Sequence, residues 1–138
     1  MKKVVIVLMS MVLLCTTVMI PVGAAMPEDN TVQPLWINTT SIDCTVGVID
    51  GVGYAECVSR SQAGSSSIKT DIYVYVAIDN RWTYLTETHD IKYTRVSGVS
   101  CPFSVSVGCD YRADYTFTVT KNGVDEVITR TVYYTYNG

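Results

Sequence analysis

The sequence predicts an all-β fold, and three observations carry that prediction. From Ser41 onward apolar residues recur at every second position, which is the period of a half-buried strand and not of a helix. β-Branched and aromatic residues, which favour strands, dominate the same region. Residue pairs that suit tight hairpin turns interrupt the pattern. These pairs are Asp50-Gly51, Asp79-Asn80 and Asn122-Gly123.

Seven extended segments follow from this pattern. They cover residues 42–49, 52–61, 67–78, 82–89, 95–101, 109–120 and 124–136. The stretch Gly64-Ser65-Ser66-Ser67 is interpreted as a flexible crossing loop. Seven short strands with turns at this spacing, in roughly 100 residues, are typical of a Greek-key sandwich. We therefore expect a seven-stranded antiparallel sandwich of the immunoglobulin or fibronectin III type.

The N-terminal 25 residues have the three parts of a secretory signal peptide. Two lysines precede an apolar run over residues 4–20, and small residues follow, with cleavage expected after Ala24 or Ala25. The run is near the lower length limit for a transmembrane helix, so cleavage is favoured over a permanent anchor. The expected organisation is a signal peptide at 1–25, an extended lead-in at 26–41 and the sandwich domain at 42–138. The protein is accordingly expected to be secreted, without a membrane attachment after cleavage.

The charge distribution argues against two classes of partner. All 13 acidic residues but only eight of the ten basic residues lie beyond residue 25, which leaves a net charge of −5 after cleavage. The basic residues are scattered singly between Arg60 and Arg130 and form no stripe. An acidic surface of this kind disfavours nucleic acid and anionic membranes as partners.

Four cysteines remain beyond the signal, and in an exported chain an even number favours disulfides, with three possible connectivities. A two-residue turn at Asp50-Gly51 places Cys44 directly opposite Cys57 in a non-hydrogen-bonded pair, a position compatible with a disulfide. The favoured connectivity is therefore Cys44–Cys57 and Cys101–Cys109. The second bond requires the chain to leave its strand at Pro102 and turn back. The spacings do not resemble those of zinc sites, so we expect no bound metal.

The sequence offers no apparatus for catalysis. His89 is the single histidine, and no G-x-S-x-G turn is present to supply a nucleophile. The acidic residues lie mostly at turns, where solvated charges are expected, and no glycine-rich phosphate loop or calcium loop is present. We therefore expect a non-enzymatic protein without a cofactor.

One group of side chains suggests a surface for binding. If Asp79-Asn80 is a two-residue turn, Tyr75 lies beside Tyr84 and Ala77 beside Trp82, with Tyr73 on the same outward side. The simpler interpretation is a cross-strand ladder of rings that stabilises the sheet. The alternative is a ligand-binding surface formed by Tyr73, Tyr75, Trp82 and Tyr84, since exposed rings can stack on sugars or anchor a protein. Residues Lys69, Asp71 and Thr86 are expected to flank it.

Four short stretches carry a resemblance to a known group of proteins. They are Pro34-Leu35-Trp36-Ile37-Asn38-Thr39-Thr40, Gly53-Tyr54-Ala55-Glu56-Cys57, Arg81-Trp82-Thr83-Tyr84 and Gly108-Cys109-Asp110-Tyr111-Arg112. In these the chain resembles small secreted immunoglobulin-like proteins of Gram-positive (Firmicutes) gut bacteria, a domain of unknown function. Those proteins usually have an aromatic residue after the glycine, where Cys109 stands here. The resemblance implies export and a β-sandwich, and it implies no activity.

The functional hypothesis is a secreted binding or structural module that takes a glycan or an extracellular protein as its partner, with its oligomeric state left open. The alternative hypothesis is a small secreted hydrolase or toxin-like factor whose site is assembled from loops. Loss of turnover on changing His89 would favour that alternative.

Overall fold

The computed structural model describes residues 36–138, which form two antiparallel β-sheets and contain no helix. All seven predicted strands are present. Their bounds are β1 Thr39–Ile49, β2 Val52–Ser61, β3 Ser65–Ile78, β4 Arg81–Lys92, β5 Val96–Ser104, β6 Cys109–Lys121 and β7 Val124–Tyr136. The all-β prediction is therefore confirmed. The expected signal peptide at 1–25, and the lead-in up to residue 35, lie outside the described residues.

The strands divide between a three-stranded sheet, in the order β1-β2-β5, and a four-stranded sheet, in the order β4-β3-β6-β7. Every neighbouring pair is antiparallel. Strand β1 begins at Thr39, so the sheet takes in the last residues of the expected lead-in. Within residues 36–138, no helix is long and apolar enough to cross a membrane.

The three tight turns have the backbone conformation that their sequences predict. Asp50-Gly51 and Asn122-Gly123 have positive φ at both positions, as the primed hairpin turns require. Asp79-Asn80 adopts the same conformation, with φ of 51° and 61°, although neither residue is glycine. Aspartate and asparagine tolerate this region better than other side chains do. These turns fix the register of the hairpins β1–β2, β3–β4 and β6–β7.

The inner faces of the two sheets form one core, and their side chains differ in size. The four-stranded sheet contributes large residues, among them Tyr115 and Phe117, which are almost fully buried. The three-stranded sheet contributes mostly small ones, such as Ala55 and Cys57. Large side chains facing small ones fill the space between two sheets without voids. The hydroxyl of Tyr115 spans this space and donates a 2.7 Å hydrogen bond to the carbonyl oxygen of Thr45 in β1.

A glycine is required where the three-stranded sheet accepts its one large inner ring. Gly53 in β2 is directly paired with Phe103 in β5. A β-carbon at position 53 would lie 2.4 Å from a carbon atom of the Phe103 ring. Such an approach is sterically impossible, so the ring occupies space that only glycine leaves free.

The prediction that β5 ends at residue 101 is wrong. The strand continues through Pro102, which is paired with Tyr54, and ends at Ser104. Because β5 is at the edge of its sheet, it has a side without a partner strand, and a proline is tolerated there.

The start of β1 is held against β7 by one carboxylate. Glu126 accepts hydrogen bonds from the backbone amides of Ile37 and Asn38 and from the hydroxyl of Thr39. Partial burial acts to raise the pKa of Glu126, but these donors outweigh that effect and lower it. The buried side chain of Asn38 donates to the carbonyl oxygens of Val119 and Val124. We call this arrangement the Glu126 clamp.

Candidate functional site

The outer face of the four-stranded sheet carries a row of large side chains across all four strands. Tyr84 in β4 is paired with Tyr75 in β3, Tyr75 with Arg112 in β6, and Arg112 with Tyr133 in β7. Trp82, two residues before Tyr84 on the same face, completes the group. We call these five residues the aromatic strip.

Within the strip, the arginine lies between rings. The Cζ atom of Arg112 is 4.4 Å from the ring centroid of Tyr75 and 5.2 Å from that of Trp82. The Trp82 and Tyr133 centroids are 5.8 Å apart, and those of Tyr75 and Tyr84 are 6.2 Å apart. These are distances of favourable cation–π and aromatic contacts. The strip is therefore held in one arrangement by its own members.

The strip is accessible to solvent. Trp82 is 40% exposed, Tyr84 54% and Tyr133 65%, while Tyr75 is half-buried beneath its neighbours. Rings with this exposure present faces or edges that a ligand can cover. Two surface depressions among residues 36–138, of about 500 and 360 Å³, contain no member of the strip.

A row of polar groups adjoins the strip. Tyr73 is paired with Glu87 on one side and with Asp114 on the other, so that it lies between two carboxylates. The Asp114 carboxylate is 3.1 Å from the nearest guanidinium nitrogen of Arg112 and accepts a 2.8 Å hydrogen bond from the Thr131 hydroxyl. Hydrogen-bonding groups therefore lie on the same face as the rings, in the next residue row along the strands.

The single histidine lies beyond this row, between two carboxylates. His89 Nδ1 is 2.7 Å from an oxygen of Asp71, and Nε2 is 3.3 Å from an oxygen of Glu87. The hydrogen bond to Asp71, followed by that to Glu87, raises the pKa of His89. Partial burial acts to raise the pKa of Asp71, but the bonds from Lys69 and His89 outweigh it, and the pKa is lowered. The ring of His89 also meets Tyr73 edge to face at 5.5 Å.

A β-bulge in β4 changes one predicted member of this face. Tyr75 is paired with Tyr84 as predicted, but Val74 is paired with Thr86, which leaves Leu85 as an extra residue. Beyond the bulge the two faces of β4 exchange positions. Thr86 therefore lies opposite a core residue, and the prediction that it flanks the rings is wrong. Leu85 packs against the core, and Glu87 takes the outward position beside Tyr73.

The structure brings together the four rings singled out in the sequence, Tyr73, Tyr75, Trp82 and Tyr84, on one side of the β3–β4 hairpin. Their part in binding stays a prediction. Sequence reasoning missed Arg112 and Tyr133, because these belong to β6 and β7, and no hairpin turn joins β6 to β3. The only signal in the sequence was that both residues occupy outward positions of strongly alternating segments.

Neither predicted disulfide is formed in the structure, where Cys44, Cys57, Cys101 and Cys109 are all free. Cys44 does lie directly opposite Cys57, as the turn geometry predicted. Cys101 and Cys109 belong to different sheets, because β5 continues past Pro102 where a turn was expected. Burial, followed by the neighbouring Cys57, raises the pKa of Cys44 to about 12, and burial raises that of Cys57 to about 11.

Across residues 36–138, no group of three or more histidine, cysteine, aspartate or glutamate side chains is placed to hold a metal ion. Asn38-Thr39-Thr40 matches the acceptor sequence for N-glycosylation. However, the Asn38 side chain is only 4% exposed and donates to two carbonyl oxygens, so the folded protein does not present it for modification.

No protein-family model matches the chain, and no curated protein matches it. Among solved structures, the chain is similar to one described as "Crystal structure of protein from Archaeoglobus fulgidus", with 10% sequence identity and a TM-score of 0.35. The similarity covers 72% of this chain and 98% of that one. A likeness this distant carries no argument about the function.

Proposed function

We propose that this protein is a secreted, non-enzymatic binding module whose ligand lies on the aromatic strip. The observation that carries the proposal is the continuous row from Tyr84 through Tyr75 and Arg112 to Tyr133, with Trp82 beside it. Rings and arginine are the residue types that contribute most to binding energy at interfaces. Secretion rests on the signal-like N-terminus and suits the acidic remainder of the chain.

We further propose that the sandwich is of the immunoglobulin or fibronectin III kind. Tyr111 lies near the start of β6, and its hydroxyl accepts a 2.7 Å hydrogen bond from the backbone amide of Ser106 in the preceding loop. This corner contact is typical of such domains. In immunoglobulin constant domains the fourth strand belongs to the sheet of strands one, two and five. Here β4 lies beside β3, which favours the fibronectin III variant.

The surroundings of His89 support a module without catalysis. A histidine acts as a general base through a free ring nitrogen that reaches a nucleophile. Both nitrogens of His89 lie instead against carboxylates, those of Asp71 and Glu87. This arrangement suits a positively charged, structural imidazole better than the hydrolase alternative.

The proposal is tested by replacing rings and measuring binding. Wild-type protein, Trp82→Ala, Tyr84→Ala and the double variant are applied to a glycan array and to an extract of bacterial surface proteins. The matched control is Tyr93→Ala, which removes a tyrosine that is 80% exposed outside the strip. We expect one ligand class to be retained by the wild type and the control and lost by the strip variants.

Two outcomes would overturn the proposal. One is a ligand that the double variant retains as well as the wild type, because binding would then occur elsewhere. The other is enzymatic turnover of any substrate that is abolished by His89→Ala. Unfolding midpoints of all variants are measured alongside, so that a loss of fold is not mistaken for a loss of binding.

A further inference from the structure

We infer that the ligand of the aromatic strip is a neutral glycan whose chain lies across the four strands. This inference rests on the proposed function and names the ligand class. Three features of the outer face carry it: the pairing of its charges, the hydrogen-bonding groups beside the rings, and the narrow shape of the apolar surface.

The cations of this face lie against its own carboxylates. Arg112 lies against Asp114, and Lys69 and His89 lie against Asp71, at distances between 2.7 and 3.1 Å. A polyanion would find no unpaired cation and would meet the carboxylates of Glu87 and Asp114. A polycation would meet Arg112 at the centre of the strip. An uncharged ligand avoids both penalties.

The same groups suit a ligand that is rich in hydroxyls. Ionised carboxylates accept several hydrogen bonds, and a guanidinium group has five N–H donors, so an ion pair leaves capacity unused on both partners. Sugar hydroxyls both donate and accept. The Asp114 and Glu87 carboxylates lie on either side of Tyr73, one residue row from the strip. A sugar stacked on the rings would therefore meet polar groups at its edge.

The shape of the apolar surface favours a chain over a folded protein. Four of the five members of the strip form one row that spans three interstrand spacings, or about 14 Å, and Trp82 lies beside this row. Beyond the strip, in the direction of Tyr73, the outer face carries charged residues and then threonines, among them Thr116, which is paired with Thr129. A stable protein interface buries about 800 Å² on each partner around an apolar centre. A single row of rings offers a track for successive sugars more readily than such a centre.

The test measures retention on insoluble polysaccharides. The full-length protein is mixed with cellulose, chitin, xylan and mannan as neutral probes, and with heparin–agarose and polygalacturonate as polyanionic probes. The variants are Trp82→Ala, Tyr133→Ala, the conservative Trp82→Phe and the control Tyr93→Ala. Each measurement is made at low salt and at about 1 M sodium chloride, which screens attraction between charges.

We expect retention on at least one neutral polysaccharide, with little dependence on salt. Each alanine substitution in the strip should weaken it about tenfold, because one stacked ring is lost. Trp82→Phe should retain part of the affinity, and Tyr93→Ala should match the wild type.

Other results would overturn the inference and are distinguishable from failure of the proposed function. Retention on the polyanions alone, lost at high salt and lost in Trp82→Ala, would mean that the strip binds a charged glycan. Capture of a surface protein by the wild type but not by Trp82→Ala, with every neutral polysaccharide unbound, would mean a protein ligand. In both cases the strip remains the binding surface. Equal retention of the wild type and all strip variants would overturn the proposed function as well.

Discussion

The two sheets present very different faces to solvent, although both are antiparallel and share one core. The outer face of the three-stranded sheet carries small, polar and aliphatic residues, as in the row of Thr45, Glu56 and Ser100, and one ring, that of the half-buried Tyr54. The outer face of the four-stranded sheet carries the aromatic strip. The first sheet shows that this fold can hold a sheet together without a row of rings on its outer face. The rings on the second sheet therefore call for a reason beyond stability.

The inner faces extend the comparison. Small residues on the three-stranded sheet accommodate the large ones opposite, and buried hydroxyls such as those of Ser59 and Ser97 have no hydrogen-bond partner there. The three-stranded sheet therefore has less apolar contact of its own. Its stability should respond most to changes that tie its strands together or disturb their close packing.

The largest expected effect is that of a bond between Cys44 and Cys57. These residues are direct partners across the β1–β2 hairpin, so mild oxidation should join them first. A loop of this size predicts a gain of about 3 kcal/mol in the free energy of unfolding. The gain is measured by urea unfolding before and after reduction, with mass spectrometry to identify the linked peptides. Cys44→Ser serves as the control, and a first bond between any other pair would contradict the prediction.

The next prediction compares the loss of stability when a glycine is replaced on the inner face of the three-stranded sheet and on its outer face. Gly53→Ala places a methyl group inside the Phe103 ring, so we expect a loss of about 1–3 kcal/mol in unfolding free energy. Gly98→Ala, on the outer face, meets no atom within 4 Å and should change stability by less than about 0.5 kcal/mol. Both are measured by thermal unfolding. Equal losses in the two variants would show that the backbone, and not the ring, makes position 53 sensitive.

A smaller effect concerns contacts between rings in the strip. Trp82 and Tyr133 should show a coupling energy of about 0.5–1.5 kcal/mol in a double-mutant cycle of unfolding free energies. If the rings only stabilise the sheet, each substitution should lower the free energy of unfolding by about this coupling energy and should leave ligand binding unchanged. We expect the reverse, with a greater loss in binding than in stability.

The smallest effect is a shift in the titration of His89, which NMR can follow without ambiguity because it is the only histidine. Its raised pKa means that protonated His89 stabilises the fold fully below its ordinary value of 6.5, and that this contribution is lost as the pH rises through the raised value. Asp71→Asn should lower the pKa of His89. An unchanged pKa in that variant would show that Asp71 does not set it.

The parts of the fold that the sequence predicts are those determined by local chemistry. Paired turn residues set the opposition of Cys44 with Cys57 and of Tyr75 with Tyr84, because a two-residue turn leaves a single register. The bulge at Leu85 escaped prediction, since an extra residue in one strand leaves no mark in its composition. The prediction at Pro102 failed because a proline ends a central strand but is tolerated in an edge strand. The local sequence does not show which strands lie at the edge of a sheet.

The candidate site was half predictable for the same reason. Its β3–β4 portion depends on one hairpin, whereas Arg112 and Tyr133 join it through the pairing of β3 with β6. That pairing joins segments more than 30 residues apart, and alternation alone does not say which strands become neighbours.

The Glu126 clamp has a mechanical consequence. It fastens the beginning of β1 beside the beginning of β7, and from Glu126 that strand runs about 34 Å to its far end at Tyr136. A force that pulls residue 36 away from residue 136 would act along the strands and shear whole ladders of hydrogen bonds, so stretching would not unzip them one at a time. Glu126 would bear this load near residue 36, one of the two points at which the force is applied. Acid that protonates its carboxylate should therefore make the domain yield at a lower force.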